Sequence, residues 1–106
     1  MQNKNMEEDI LAIVENYTTR LITNTFGFVP KVQVYFDSTE YIKVLLDGSE
    51  DERRMMMGKF ANNFQAIKTM LRIFCKTHGH DSYLYIAPGK NATNISKNQE
   101  RPNSDW

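Results

Sequence analysis

Along the first third of the chain, apolar residues recur at helical spacing. Ile10, Ile13, Val14, Tyr17 and Leu21 define one stripe, and the spacing predicts a helix from about Met6 to about Thr23. Asn5 is the expected cap, with Glu8 at the capping-box position and Glu7 and Asp9 where the helix dipole favours acids. Gly27 is the expected stop. After Val29-Pro30 the period changes. Val32, Val34 and Phe36 alternate with Gln33, Tyr35 and Asp37, the pattern of a half-buried strand. Residues 37–40 read as a turn, and Tyr41 to Leu46 as a second strand, which together make an antiparallel hairpin.

The helical period then returns. Ser49 with Glu52 predicts a capped short helix that ends at Gly58. A brief turn, Gly58-Lys59-Phe60-Ala61, leads into a long helix. Phe60, Phe64, Ile67, Leu71 and Phe74 form its apolar stripe, expected in the core except for Phe60, which lies in the loop and is open to a base or a partner, and Gly79 is its expected end. Lys68, Arg72 and Lys76 step by four along what reads as a different face. Ser82–Ala87 reads as a third strand. The order is α-β-β-α-α-β. A right-handed crossover through two helices returns the third strand parallel to the second. The expected fold is therefore α+β: a mixed three-stranded sheet with helices packed on one face. Tyr35, Tyr41, Tyr83, Tyr85 and Lys43 are candidates for the other face, and the pattern leaves open which set meets the helices.

Composition adds bounds. A chain of 106 residues suits one small domain, and 41% apolar with 25% charged residues excludes wholesale disorder. The expected organisation is a flexible segment 1–5, a folded unit 6–87, and a disordered polar tail 88–106 rich in Asn, Ser and Pro. The longest uncharged apolar run, Ile10–Val14, is far below the ~20 residues of a membrane helix, and the sequence suggests neither a membrane partner nor a signal peptide. A single cysteine, Cys75, fits a reducing compartment such as the cytoplasm.

Net charge is zero, yet its distribution is uneven. Residues 1–52 hold ten acids and four bases. Residues 53–80 hold six bases (Arg53, Arg54, Lys59, Lys68, Arg72 and Lys76) and no acid. Such asymmetry can build one cationic surface.

The stretch Met56-Met57-Gly58-Lys59-Phe60-Ala61, followed by a helix with Ala66-Ile67-Lys68, resembles the KH-domain signature: two apolar residues, Gly, a basic residue, any residue, Gly, then a helix with an Ala-Ile-basic pattern. The element order resembles the bacterial, type II arrangement. The family it is most similar to is that of small KhpA-type RNA-binding proteins, with the KH part of KhpB (Jag) as runner-up, over about residues 7–87. The resemblance implies single-stranded RNA binding without a cofactor, as a homodimer or beside a KhpB-like partner. Arg53, Arg54, Lys59 and the Gly58–Ala61 backbone would hold phosphates. Met56, Met57, Phe60, Asn62 and Ile42 or Val44 would border the groove, and Lys68 and Arg72 would add long-range attraction. The physics suits that role. Glycine allows close backbone approach, and a helix N-terminus adds partial positive charge. In place of the family's Gly-x-x-Gly, position 61 is Ala, whose methyl narrows that approach and disfavours positive φ. The alternative reading is a KH-like protein-interaction or dimerisation module that has lost RNA binding.

Other features read as structural. Cys75, His78, His80 and Asp81 lack a second ligand pair for zinc, and His78 is better placed to meet the helix C-terminus. No nucleophile–base pair stands out, so no enzyme is expected.

Overall fold

In a computed structural model, residues 2–37 and 41–87 are described, with side chains from residue 9 onward. The order is α1 (Gln2–Phe26), β1 (Lys31–Phe36), β2 (Tyr41–Asp47), α2 (Glu50–Met57), a 3₁₀ turn (Lys59–Ala61), α3 (Asn62–Thr77) and β3 (Asp81–Ile86). Among the described residues it is an α+β architecture of three α-helices and one mixed sheet. The expected tail, 88–106, and most of the expected turn after Asp37 lie outside the described residues.

Strand β2 is central. It pairs antiparallel with β1, Val34 opposite Val44, and parallel with β3, Val44 opposite Leu84. The parallel pairing follows from the α2–α3 crossover. On β2 alternate residues separate sharply. Ile42, Val44 and Leu46 have no exposure, whereas Tyr41, Lys43 and Leu45 are half-buried. The buried set, with Leu84 and Ile86 of β3, joins Val14, Ile22, Met56, Ile67 and Leu71 of the helices in one core. The helices therefore cover the aliphatic face. The tyrosine-rich set faces the other way.

Two helix boundaries match their signals. Gly27 closes α1 at φ +87°, with its amide bonded to the Thr23 carbonyl at 2.9 Å. Ser49 caps α2: its hydroxyl accepts from the Glu52 amide at 3.1 Å, and the Glu52 carboxylate accepts from the Ser49 amide at 2.9 Å. The start of α1 differs from expectation. The helix already includes Gln2, so Asn5 lies inside it and is not its cap. Residues 2–5 contain no Gly or Pro to stop helical hydrogen bonding from extending backwards.

The stripe on α3 also differs. Its buried residues are Phe64, Ile67, Lys68, Leu71 and Cys75. Phe60 is 85% exposed and Phe74 only half-buried, with its ring stacked on Tyr17 at 4.0 Å. Phe60 leaves the stripe because the chain breaks helical phase before Asn62. Lys68 enters it because four residues past Phe64 and three before Leu71 is the inward position. Long lysine stems fill such sites with methylenes.

Burial pushes the Cys75 thiol above its ordinary pKa. Near it, the His78 ring approaches the Phe74 carbonyl at 2.9 Å, as a residue at the helix C-terminus should.

The sheet register has a direct test. Leu46→Ala should destabilise the protein by about 2–5 kcal/mol in urea unfolding, since it empties a sealed site. Leu45→Ala, one residue away on the open face, should cost about 1 kcal/mol or less. Equal losses would contradict the assignment of faces.

Candidate nucleic-acid interface

The junction between α2 and α3 is made by four residues, three of them with unusual backbone geometry. Gly58 sits at φ +75°, Phe60 at φ +56° and Ala61 at φ +60°. Gly58 has two reasons to be glycine. Its φ disfavours any side chain, and a Cβ there would lie 2.8 Å from the Asn63 amide nitrogen and 2.6 Å from Asn63 Cγ. The Gly58 amide closes α2 on the Arg54 carbonyl at 2.8 Å, while its carbonyl receives the Ala61 amide at 3.1 Å.

Asn63 completes the junction. Its side-chain amide donates to the Met55 carbonyl at 2.7 Å, tying the first turn of α3 to the last turn of α2. Sequence reasoning singled out Asn62, which is exposed. An Asn at the start of a helix is a common local hydrogen-bonder, but only the folded junction shows which of the two neighbours does it.

Phe60 and Ala61 are both left-handed without being glycine. Each such residue costs about 1–2 kcal/mol. The left-handed pair turns Phe60 outward, and the Lys59 ammonium lies 5.6 Å from its ring centroid. Both residues are exposed at the tip. Ala61 packs against the core and supplies no side-chain cap to α3. The first turn of α3 therefore begins next to Lys59 with no side-chain oxygen from its cap residue on its amides. This pairs a helix N-terminus with a full positive charge.

The structure distributes the other expected site residues unevenly. Met56 has no exposure and belongs to the core, so it cannot border a groove. The same holds for Ile42 and Val44, the inward residues of β2. Met57 is half-buried beside the loop. The Arg53 guanidinium donates to the Gly48 carbonyl and pairs with Asp47 at 3.4 Å, so it braces the β2–α2 turn. Arg54 stays on the surface, paired with Glu50 at 2.8 Å and Asp51 at 3.7 Å within its own helix. Exposed pairs of this kind are worth only about 0–1 kcal/mol and yield readily to a phosphate. Lys68 is buried, which removes it from any surface role. Arg72 is exposed but lies ten residues beyond Asn62, roughly 15 Å along α3, where it lines a shallow groove with Ile73, Lys76 and Asp81. The residues actually gathered at the junction are Met57, Gly58, Lys59, Phe60, Ala61 and Asn62, with Arg54 one turn back on α2.

Neither the protein-family models nor the curated proteins contain a match to this chain.

The left-handed pair makes opposite predictions at two positions. Ala61→Gly should stabilise the protein by about 1 kcal/mol in thermal unfolding, by removing a Cβ from a left-handed residue. Gly58→Ala should destabilise it by about 2 kcal/mol or more, because strain and the collision with Asn63 add.

Proposed function

We propose that this protein binds single-stranded RNA through the Gly58–Ala61 loop, in the manner of a type II KH domain of the small bacterial KhpA kind. The observation that carries the reading is the α2–loop–α3 junction. It is a tight glycine-led turn locked by Asn63, with the cap-free start of α3 and the Lys59 ammonium side by side. Support also comes from the surrounding element order, α-β-β-α-α-β with β3 parallel to β2.

In this reading a phosphate sits at the first turn of α3, where backbone amides and the helix dipole meet it. Lys59 supplies the full charge, and Arg54 a second one by leaving its weak pairs on α2. Phe60 offers an open ring to a base next to that phosphate. Arg53 and Asn63 hold the frame and touch no RNA. A lone site of this size binds weakly, so a second copy or a KhpB-like partner would raise avidity by linking two sites. The reading assigns no catalytic step and places the protein in the cytoplasm.

A second reading is favoured by one observation. Phe60 is apolar and 85% exposed at the tip of the loop, a form suited to a hydrophobic pocket on another protein. There the loop is a protein-docking knob and RNA binding is absent.

Fluorescence anisotropy with mixed-sequence single-stranded RNA at two salt concentrations separates the two. The RNA reading expects log affinity to fall with log salt at a slope of about −1.4 for two neutralised phosphates, and Lys59→Asp to abolish or strongly weaken binding. Salt-independent binding, or none, would favour the protein-docking reading.

A further inference from the structure

The sheet has a second surface that the loop does not use. On the side away from the helices, β1 presents Tyr35, β2 presents Tyr41, Lys43 and Leu45, and β3 presents Tyr83 and Tyr85. Tyr35, Lys43 and Tyr83 occupy one row across the three strands. Tyr41 and Tyr83 stack at 4.9 Å and 18° between rings. The Lys43 ammonium stands 5.2 Å from the Tyr85 ring and 6.0 Å from the Tyr35 ring. Tyr35 is 43% exposed.

The charge around these rings decides what fits them. Among the described residues, three acids lie at the ends of the same face: Asp37, Asp47 and Asp81. Two of them already face cations, since Asp47 pairs with Arg53 at 3.4 Å and Asp81 with Lys76 at 2.7 Å. Among the described residues Lys43 pairs with no carboxylate, and its ammonium meets the Tyr35 and Tyr85 rings. The centre of the face is therefore aromatic and cationic, and two of the three described rim acids are paired with cations. An acidic or purely aliphatic partner would use half of this chemistry. A strand that alternates flat rings with phosphates uses both halves, because bases stack on tyrosines and a phosphate meets the lysine.

The geometry points to this open sheet face as a stacking platform for an unpaired nucleic-acid strand, with Tyr35 and Tyr85 as base contacts and Lys43 as the phosphate contact. It goes beyond the loop reading and does not depend on it, since the loop belongs to the helix layer on the opposite side of the sheet.

The test uses the full chain with labelled tyrosine rings and a single-stranded oligouridylate of about ten nucleotides. On titration, the ring protons of Tyr35, Tyr83 and Tyr85 should move upfield, as protons do above a stacked base. Tyr17, stacked on Phe74 among the helices, is the internal control and should stay in place. In Lys59→Asp the same ring shifts should persist. Tyr35→Ser with Tyr85→Ser should weaken the remaining binding about tenfold, and Tyr35→Phe with Tyr85→Phe should retain it, which separates lost stacking from lost folding. Lys43→Glu should weaken binding and flatten its salt response. Rings that stay unmoved at saturating RNA would overturn the proposal. So would their loss of response in Lys59→Asp, which would leave the loop as the only site. A Lys43→Glu variant that changes sedimentation mass but not RNA affinity would overturn it in favour of a second copy on this face. Ring shifts that persist in Lys59→Asp at unchanged affinity would instead overturn the loop reading alone.

Discussion

The sealed side of β2 is the constraint on which the other parts rest. Ile42, Val44 and Leu46 are fully excluded from solvent, and the strand is hydrogen-bonded on both edges. Burying three large aliphatic side chains from one strand requires a continuous helical cover. That cover is supplied by α1, α2 and α3, each with inward residues in the same core. Strand period two then forces every neighbour of these residues onto the opposite face. The helix layer and the tyrosine face are two consequences of one alternation.

The α2–α3 junction is a second, more local constraint. A parallel β2–β3 pairing needs a crossover that turns back on itself, and here it does so within four residues. Gly58 makes the first turn, Phe60 and Ala61 continue it in left-handed conformations, and Asn63 ties the two helices by donating its side-chain amide to the Met55 carbonyl at 2.7 Å. Strain is held because the elements on both sides are anchored: Met56 before it and Phe64 after it are buried. Residues kept in such geometry are commonly found where a chain contacts something else. The strain and the exposure of Lys59 and Phe60 thus occur at the same point.

Electrostatics follows the same division between bracing and display. The basic run of residues 53–80 does not form one surface. Arg53 is spent on a turn, Lys68 is drawn into the core, and Lys76 pairs with Asp81. Lys59 and Arg54 remain near the junction, and Arg72 stands well along α3. Lys43, from the acidic half of the chain, becomes the central charge of the tyrosine face. Cationic character in this protein is local, so a count of bases along the chain misplaces it.

Much of the architecture was legible in the residues alone. Period-two and period-3.6 patterns located all six main elements, and Ser49, Glu52, Gly27 and Gly58 marked boundaries where short-range hydrogen bonding or positive φ decides the conformation. Those are local effects, and local sequence determines them. The sequence left open which sheet face meets the helices, because Val/Ile/Leu and Tyr/Leu sets are both apolar enough to be buried. Only competition for the single helical cover resolved it, and the aliphatic set won by packing without hydroxyls to satisfy. The sequence likewise placed Met56 and Lys68 at the site. Helix phase turns both inward, Met56 on α2 and Lys68 between Phe64 and Leu71 on α3, while the positive φ of Phe60 and Ala61 breaks that phase before Asn62 and leaves Phe60 exposed.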